Sequence, residues 1–285
     1  MIPAAGNAAR RGRLEALAAL PVSAYLLLFL ALPCAFALKL AFTDTLTGGV
    51  PSLANFRRIA ADALLMSALV NNVMLAAVSV AAELALGLGL ALLFRRRFRG
   101  YAVLRAAVVI PFALPEIVYL TAMRYVFAPH GYANSALAAA SLAPVEWLSP
   151  GSWMALLTVA AVDAWHVTPI VFLILASALG AIPEHIFEAA RLDGARGWRQ
   201  LVHITLPLLR PAILAAVMLR GLDALRVFAA PLVLTGVEGL PVLSSYAYHQ
   251  WSEHGDDAAA AAVSMLLAVL CVITATPLLR KGQTR

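Results

Sequence analysis

Arg220, Asp223 and Arg226 stand three residues apart within one apolar run of the sequence. On a helix this spacing lets a single carboxylate reach either guanidinium along one face. Asp163 and His166 repeat the interval upstream, with Pro169 placed to kink their helix. Glu83 and Glu116 are lone acids in apolar surroundings, the kind that pair structurally, while Lys39, Arg105 and Arg124 lie toward the ends of apolar blocks, where long side chains snorkel. A charge at the centre of a membrane helix costs about 2.5–3.5 kcal/mol on insertion scales, so such residues face an interior or a cavity. Two uses therefore fit Arg220, Asp223 and Arg226. They form a buried bridge between helices, or, with Asp163, they wall a path in which solute hydroxyls meet donors and acceptors.

Other chemistries lack their residues. A phosphate-cradling loop needs a glycine-rich turn followed by Lys and Ser or Thr, and neither Lys39 nor Lys281 stands in that pattern. There is no HExxH helix, and Asp163 and His166 have no third ligand for a metal. Cys34 and Cys271 sit inside apolar blocks and read as packing residues. No catalytic residue, metal or cofactor is expected.

The elements that must hold these charges follow from composition. Of 285 residues 62% are hydrophobic and 13% charged, and the mean hydropathy is +0.86. A soluble domain carries roughly 45–50% apolar and about 25% charged residues. An ordinary soluble enzyme, a disordered chain and a secreted disulfide scaffold are excluded, and a membrane-embedded protein is left. The net charge of +6 does not mark a nucleic-acid partner, because the basic residues cluster between apolar blocks instead of lining one face.

Six blocks reach the roughly 20 residues needed to cross a bilayer: about 20–42, 69–94, 101–127, 153–179, 209–234 and 258–279. Lipid offers no partner to backbone N–H and C=O groups and the blocks lack strand alternation, so they are helices. The expected fold is all-α and polytopic. The first block is longer than a signal-peptide core and reads as a retained anchor. With the N-terminus inside, fourteen Lys and Arg fall on the cytoplasmic side and only Arg57 and Arg58 opposite. Both termini are then cytoplasmic. This divides the chain into a tail at 1–19, a six-span domain at 20–279 with a cytoplasmic loop at about 181–207, and a tail at 280–285.

That loop is the informative connection. Pro183 suits a first helical position, Glu184 and Glu188 favour the positive end of the helix dipole, and Ile186, Phe187 and Ala190 share an apolar face. Gly194 follows as a helix end, a second amphipathic stretch runs from Trp198 to Thr205, and Pro207 and Pro211 precede the fifth span. Such a knob is either a connector lying on the membrane surface or a plug for a partner's groove.

Glu188-Ala189-Ala190, then Gly194, then Ile204-x-Leu206-Pro207 resembles the EAA loop of ABC-importer permeases, and EAARLDGA with HITLPLLRP is similar to their carbohydrate branch. Asn55-Phe56, LLFRRRFRG ending at Gly100, IPFALP at 110–115 and LRGLDALRVF at 219–228 extend the likeness to most of the chain, toward the maltose and glycerol-phosphate permeases. The resemblance implies a type I importer fold in the inner membrane. It also implies ABC ATPase subunits, a second sister permease and an extracytoplasmic substrate-binding protein as partners in the lipid bilayer. The solute would be a sugar or sugar-like molecule of the oligosaccharide, polyol or glycerol-phosphate class. Glu188, Ala189, Ala190 and Gly194 would lie at the ATPase-docking surface, with Arg191 and Asp193 near it. The chain departs from the pattern at Gly236-Val237-Glu238-Gly239-Leu240-Pro241 and at the acidic stretch 252–257, both on the outer side.

The alternative is a self-sufficient secondary transporter or channel, which inverted repeats and broken midplane helices would favour. No internal repeat is evident. An intramembrane enzyme would need a nucleophile–base pair or metal helix that the sequence lacks.

Overall fold

The computed structural model describes residues 19–44, 47–95 and 97–283, with side chains described as far as Thr276. Among the described residues all regular structure is helical. We number the helices α1 (Ala19–Ala41), α2 (Ala54–Ala60), α3 (Ala63–Leu93), α4 (Tyr101–Ala113), α5 (Glu116–Val126) and α6 (Tyr132–Ala139). Then follow α7 (Trp153–Gly180), α8 (Glu184–Leu192), α9 (Trp198–Leu225), α10 (Ala229–Thr235), α11 (Leu243–Ser252) and α12 (Asp257–Gln283). The expected tail at 1–19 lies outside the described residues except for Ala19, and the helix of α12 continues through most of the tail expected at 280–285.

α3 and α7 form the central pair. Gly87 makes their close crossing possible, since a Cβ there would lie 2.7 Å from Val171 Cγ1 and 3.1 Å from the Phe172 backbone nitrogen. α9 packs on both, α4 lies along α7, and α12 closes the bundle against α9 and α11. Asp62 caps α3 by accepting from Leu64 N at 2.9 Å, and Ser152 caps α7 by accepting from Ala155 N at 3.0 Å. α1 stands outside, meeting α12 near its C-terminal end, where Ala41 is buried; Leu27 and Phe29 are exposed, as helix faces toward lipid must be.

Five helices are long and apolar enough to span a membrane: α1, α3, α7, α9 and the 257–276 part of α12. The third expected block is a pair, α4 and α5, meeting at 99°. Pro115 is the cause: it has no N–H to continue the helix, and it drives the preceding Leu114 to an extended ψ of 137°. α7, by contrast, runs through Pro169 without a break.

The fifth span differs most from expectation. It runs from Trp198 to Leu225 and not from 209 to 234. The stretch from Trp198 to Thr205 is the first part of this helix, not a separate amphipathic piece. A π turn at Leu201–Thr205 lies just before Pro207 and accommodates the proline's missing donor, so the helix runs through the prolines expected to separate the two pieces. Residues 229–235 form the separate short helix α10.

Candidate functional sites

Inside the bundle, Arg220 of α9 meets Glu83 of α3. Its Nε donates to Oε2 at 2.8 Å and its Nη2 to Oε1 at 3.0 Å, with Glu83 fully buried. This planar two-bond geometry is the strongest form of the guanidinium–carboxylate contact. Asp163 of α7 lies 3.7 Å from Arg220, and Asp223 lies 3.5 Å away on the other side. Asp223 in turn accepts from Arg226 at 2.7 Å. The structure thus brings together all four residues singled out for the path, and adds Glu83 as the principal partner of Arg220. Glu116 forms no ion pair among the described residues.

The helix end beside these charges is held by polar side chains. α9 stops at Leu225 within the bundle, leaving carbonyls that lipid cannot satisfy. Arg226 Nε donates to Leu222 O at 3.3 Å, and Asn72 of α3 donates to Leu225 O at 3.0 Å. Asn72 Oδ1 also accepts from Leu243 N at 3.2 Å, and the Ser244 hydroxyl donates to Val227 O. One buried amide therefore ties the end of α9 to the start of α11.

Arg220, Asp223 and Arg226 wall a cavity of about 300 Å³ between α5, α7, α9 and α10. Glu116 and Tyr119 enter from the start of α5, just past the Pro115 bend; Asp163 and His166 come from α7; Phe228 closes one side. Tyr119 stacks on His166 with ring centroids 4.0 Å apart. The cavity has polar groups beside aromatic rings and no arrangement of nucleophile and base.

The second site is at the arginine-rich end of the bundle, where α8 joins α7 to α9. Pro183 is the N-cap, one position earlier than expected. Phe187 is fully buried in a cluster with Phe94, Phe172, Leu175 and Leu209. Arg95, from the connection after α3, lies with its guanidinium 3.6 Å above the Phe187 ring and donates to Glu184 Oε2 at 2.7 Å. Arg191 donates to Glu184 Oε1 at 2.7 Å. Hydrogen bonding from Arg95, reinforced by Arg191, holds the Glu184 carboxyl below its ordinary pKa.

Gly194 ends α8 with φ +81°. Ala195 N donates to Ala190 O at 2.8 Å and Gly194 N to Arg191 O at 3.2 Å, the two reverse bonds of a Schellman cap. The glycine is there because this cap needs a left-handed residue. Of the six residues expected at the docking surface, Glu188, Ala189, Asp193 and Gly194 are exposed, Arg191 is partly so, and Ala190 is buried against the bundle. Leu192 and Trp198, 89% and 74% exposed, stand beside them. Sequence spacing did not mark Arg95, whose partner Glu184 is 89 positions away.

With this geometry in view, comparison with known proteins is decisive. Residues 83–281 match the family model described as binding-protein-dependent transport system inner membrane component. The chain belongs to this family. It is a multi-pass permease subunit, not an enzyme, and the region that defines this inner membrane component contains both sites, from Glu83 through α8 to Arg226. The permease is 37% identical over 212 residues to the trehalose/maltose transport system permease protein MalF of Thermococcus litoralis, a match covering 73% of this chain and 71% of that one. It is 36% identical over 185 residues to the trehalose transport system permease protein SugA of Mycobacterium tuberculosis, covering 65% and 59%. A chain of a bacterial alginate ABC transporter, solved in complex with an alginate pentasaccharide-bound periplasmic protein, superposes with a TM-score of 0.84 over 96% of this chain and 97% of that one. At 21% identity that likeness speaks to the fold.

Proposed function

We propose that this permease is the membrane-spanning subunit of an ATP-driven importer that moves a sugar or sugar-like solute delivered by an extracytoplasmic binding protein. Its partners are a sister permease and separate ATPase subunits, as its place among the binding-protein-dependent transport components and its likeness to the trehalose/maltose permease support. The arginine-rich end faces the cytoplasm, as the distribution of Lys and Arg supports, so both termini lie inside. The trehalose and maltose permeases among its relatives support the solute class.

The observation that carries the reading is α8. Phe187 and Ala190 anchor it, Arg95 clamps it to the end of α3, and its other face is left free. A short helix so fixed transmits force, whereas a loosely attached connector would not. Glu188, Ala189, Asp193 and Gly194, with Leu192 and Trp198, form the surface that enters the ATPase groove. Ala190 is buried behind this surface, and Arg191 steadies Glu184, the acceptor of Arg95, from within the same helix. Closure of the ATPase pair then moves α7 and α9 through the ends of α8. Asp163, Arg220, Asp223 and Arg226 wall the solute path beside the bend between α4 and α5.

Co-purification tests the docking role. Glu188→Lys and Gly194→Asp are expected to release the ATPase while the permease stays in the membrane, and ATPase retained by both variants overturns it.

A further inference from the structure

The cavity between α5, α7, α9 and α10 has an uneven charge balance. Glu116, Asp163 and Asp223 line it with Arg220 and Arg226, and Arg220 is also committed to the buried Glu83 behind it. Three carboxylates therefore face the cavity and a fourth, Glu83, lies behind it, against two guanidinium groups. The set is net negative when all are ionised, and still negative with one proton bound. Among the described residues lining the cavity no Lys or Arg beyond Arg220 and Arg226 offsets the excess, while His166 stacks on Tyr119 and Phe228 supplies an apolar wall.

A low-dielectric passage lined by one sign of charge concentrates solutes of the other sign and rejects its own. The carboxylates and Arg226 can still bind hydroxyls, as acceptors and donor respectively, and ring faces suit the apolar side of a pyranose. We infer that Glu116, Asp163 and Asp223 make this a charge filter: the permease passes uncharged or amino-bearing saccharides and polyols and excludes uronates, sulfonates and phosphate esters. This rests on the cavity being part of the solute path, as proposed above, and narrows the solute range that the sequence suggests.

The charge of the cavity and the identity of the cargo can be tested separately. In the assembled importer, with Cys34 and Cys271 replaced by serine, Ala229→Cys places a thiol on the cavity wall. Methanethiosulfonates bearing trimethylammonium or sulfonate report the local potential. The cationic reagent is expected to react at least about tenfold faster than the anionic one, relative to the same pair reacting with free cysteine in solution. Adding Glu116→Gln and Asp223→Asn should collapse that ratio, and Val227→Cys serves as a second position if Ala229→Cys does not assemble. Equal rates, or faster reaction of the sulfonate, overturn the filter. Uptake by cells lacking this permease is then compared for trehalose, maltose and glucosamine against alginate trisaccharide, maltobionate and glycerol 3-phosphate. Loss confined to the first group supports the inference. Loss of any anionic member overturns it while leaving the importer reading intact, and loss of none overturns the importer reading instead.

Discussion

Arg220 shows how one side chain can be necessary without being stabilising. Its two hydrogen bonds to Glu83 satisfy a charge that the surrounding apolar helices cannot solvate. Removing one partner of a buried pair leaves the other uncompensated, at about 3–5 kcal/mol, whereas replacing both by apolar residues of similar size is often neutral or better. Glu83→Ala is therefore expected to lower the thermal stability of the purified permease sharply, and Glu83→Met with Arg220→Leu to restore most of it. If the pair serves only packing, the double variant also transports normally. If Arg220 walls the path, the double variant folds but takes up solute poorly. Glu83 was legible in the sequence as an odd acid in an apolar block, but its partner 137 positions away was not. Spacing pointed instead to Asp223, which proves to be the longer contact on Arg220.

At the scale of the element, α8 was readable almost residue by residue. Its apolar face, its acidic start and its terminal glycine are local signals, and each has a local structural cause. The clamp is not local: Arg95 reaches α8 from another part of the chain. This clamp has a pH signature. Because the Glu184 pKa is lowered in the folded state, its contribution is fully present above the ordinary glutamate pKa of about 4.3 and is lost as pH falls through the lower native value. Hydrogen exchange of α8 amides should accordingly be faster in Glu184→Gln than in wild type at pH 7, with the difference shrinking as the pH falls below the ordinary glutamate range. Local signals misled at α9, where two prolines read as the entry to a span beginning after them. A π turn carried the helix through them, moving the span about eleven residues toward the N-terminus. The bend between α4 and α5 is a broken helix of the sort first associated with a self-sufficient transporter. Membership of the binding-protein-dependent family shows that a break beside a cavity is no mark of that class alone.

At the scale of the whole molecule, the permease is a bundle with the short helix α8 at one end and a walled cavity within, and its sequence carries no phosphate-binding loop pattern. Reconstituted alone in vesicles it is expected to accumulate no trehalose or maltose against a gradient, whether or not ATP is supplied. Accumulation without an added ATPase would overturn the docking role proposed for α8. The sequence by itself determined the membrane class, the number of apolar blocks and the amphipathic knob, because hydropathy, charge placement and helix capping act over a few turns of chain. Only the tertiary structure decided which charges meet, where α9 begins, and that α4 and α5 part at 99° beside a polar cavity. Ion pairing, π-turn accommodation of proline and helix crossing at Gly87 depend on distances across the bundle, which no local pattern of residues encodes.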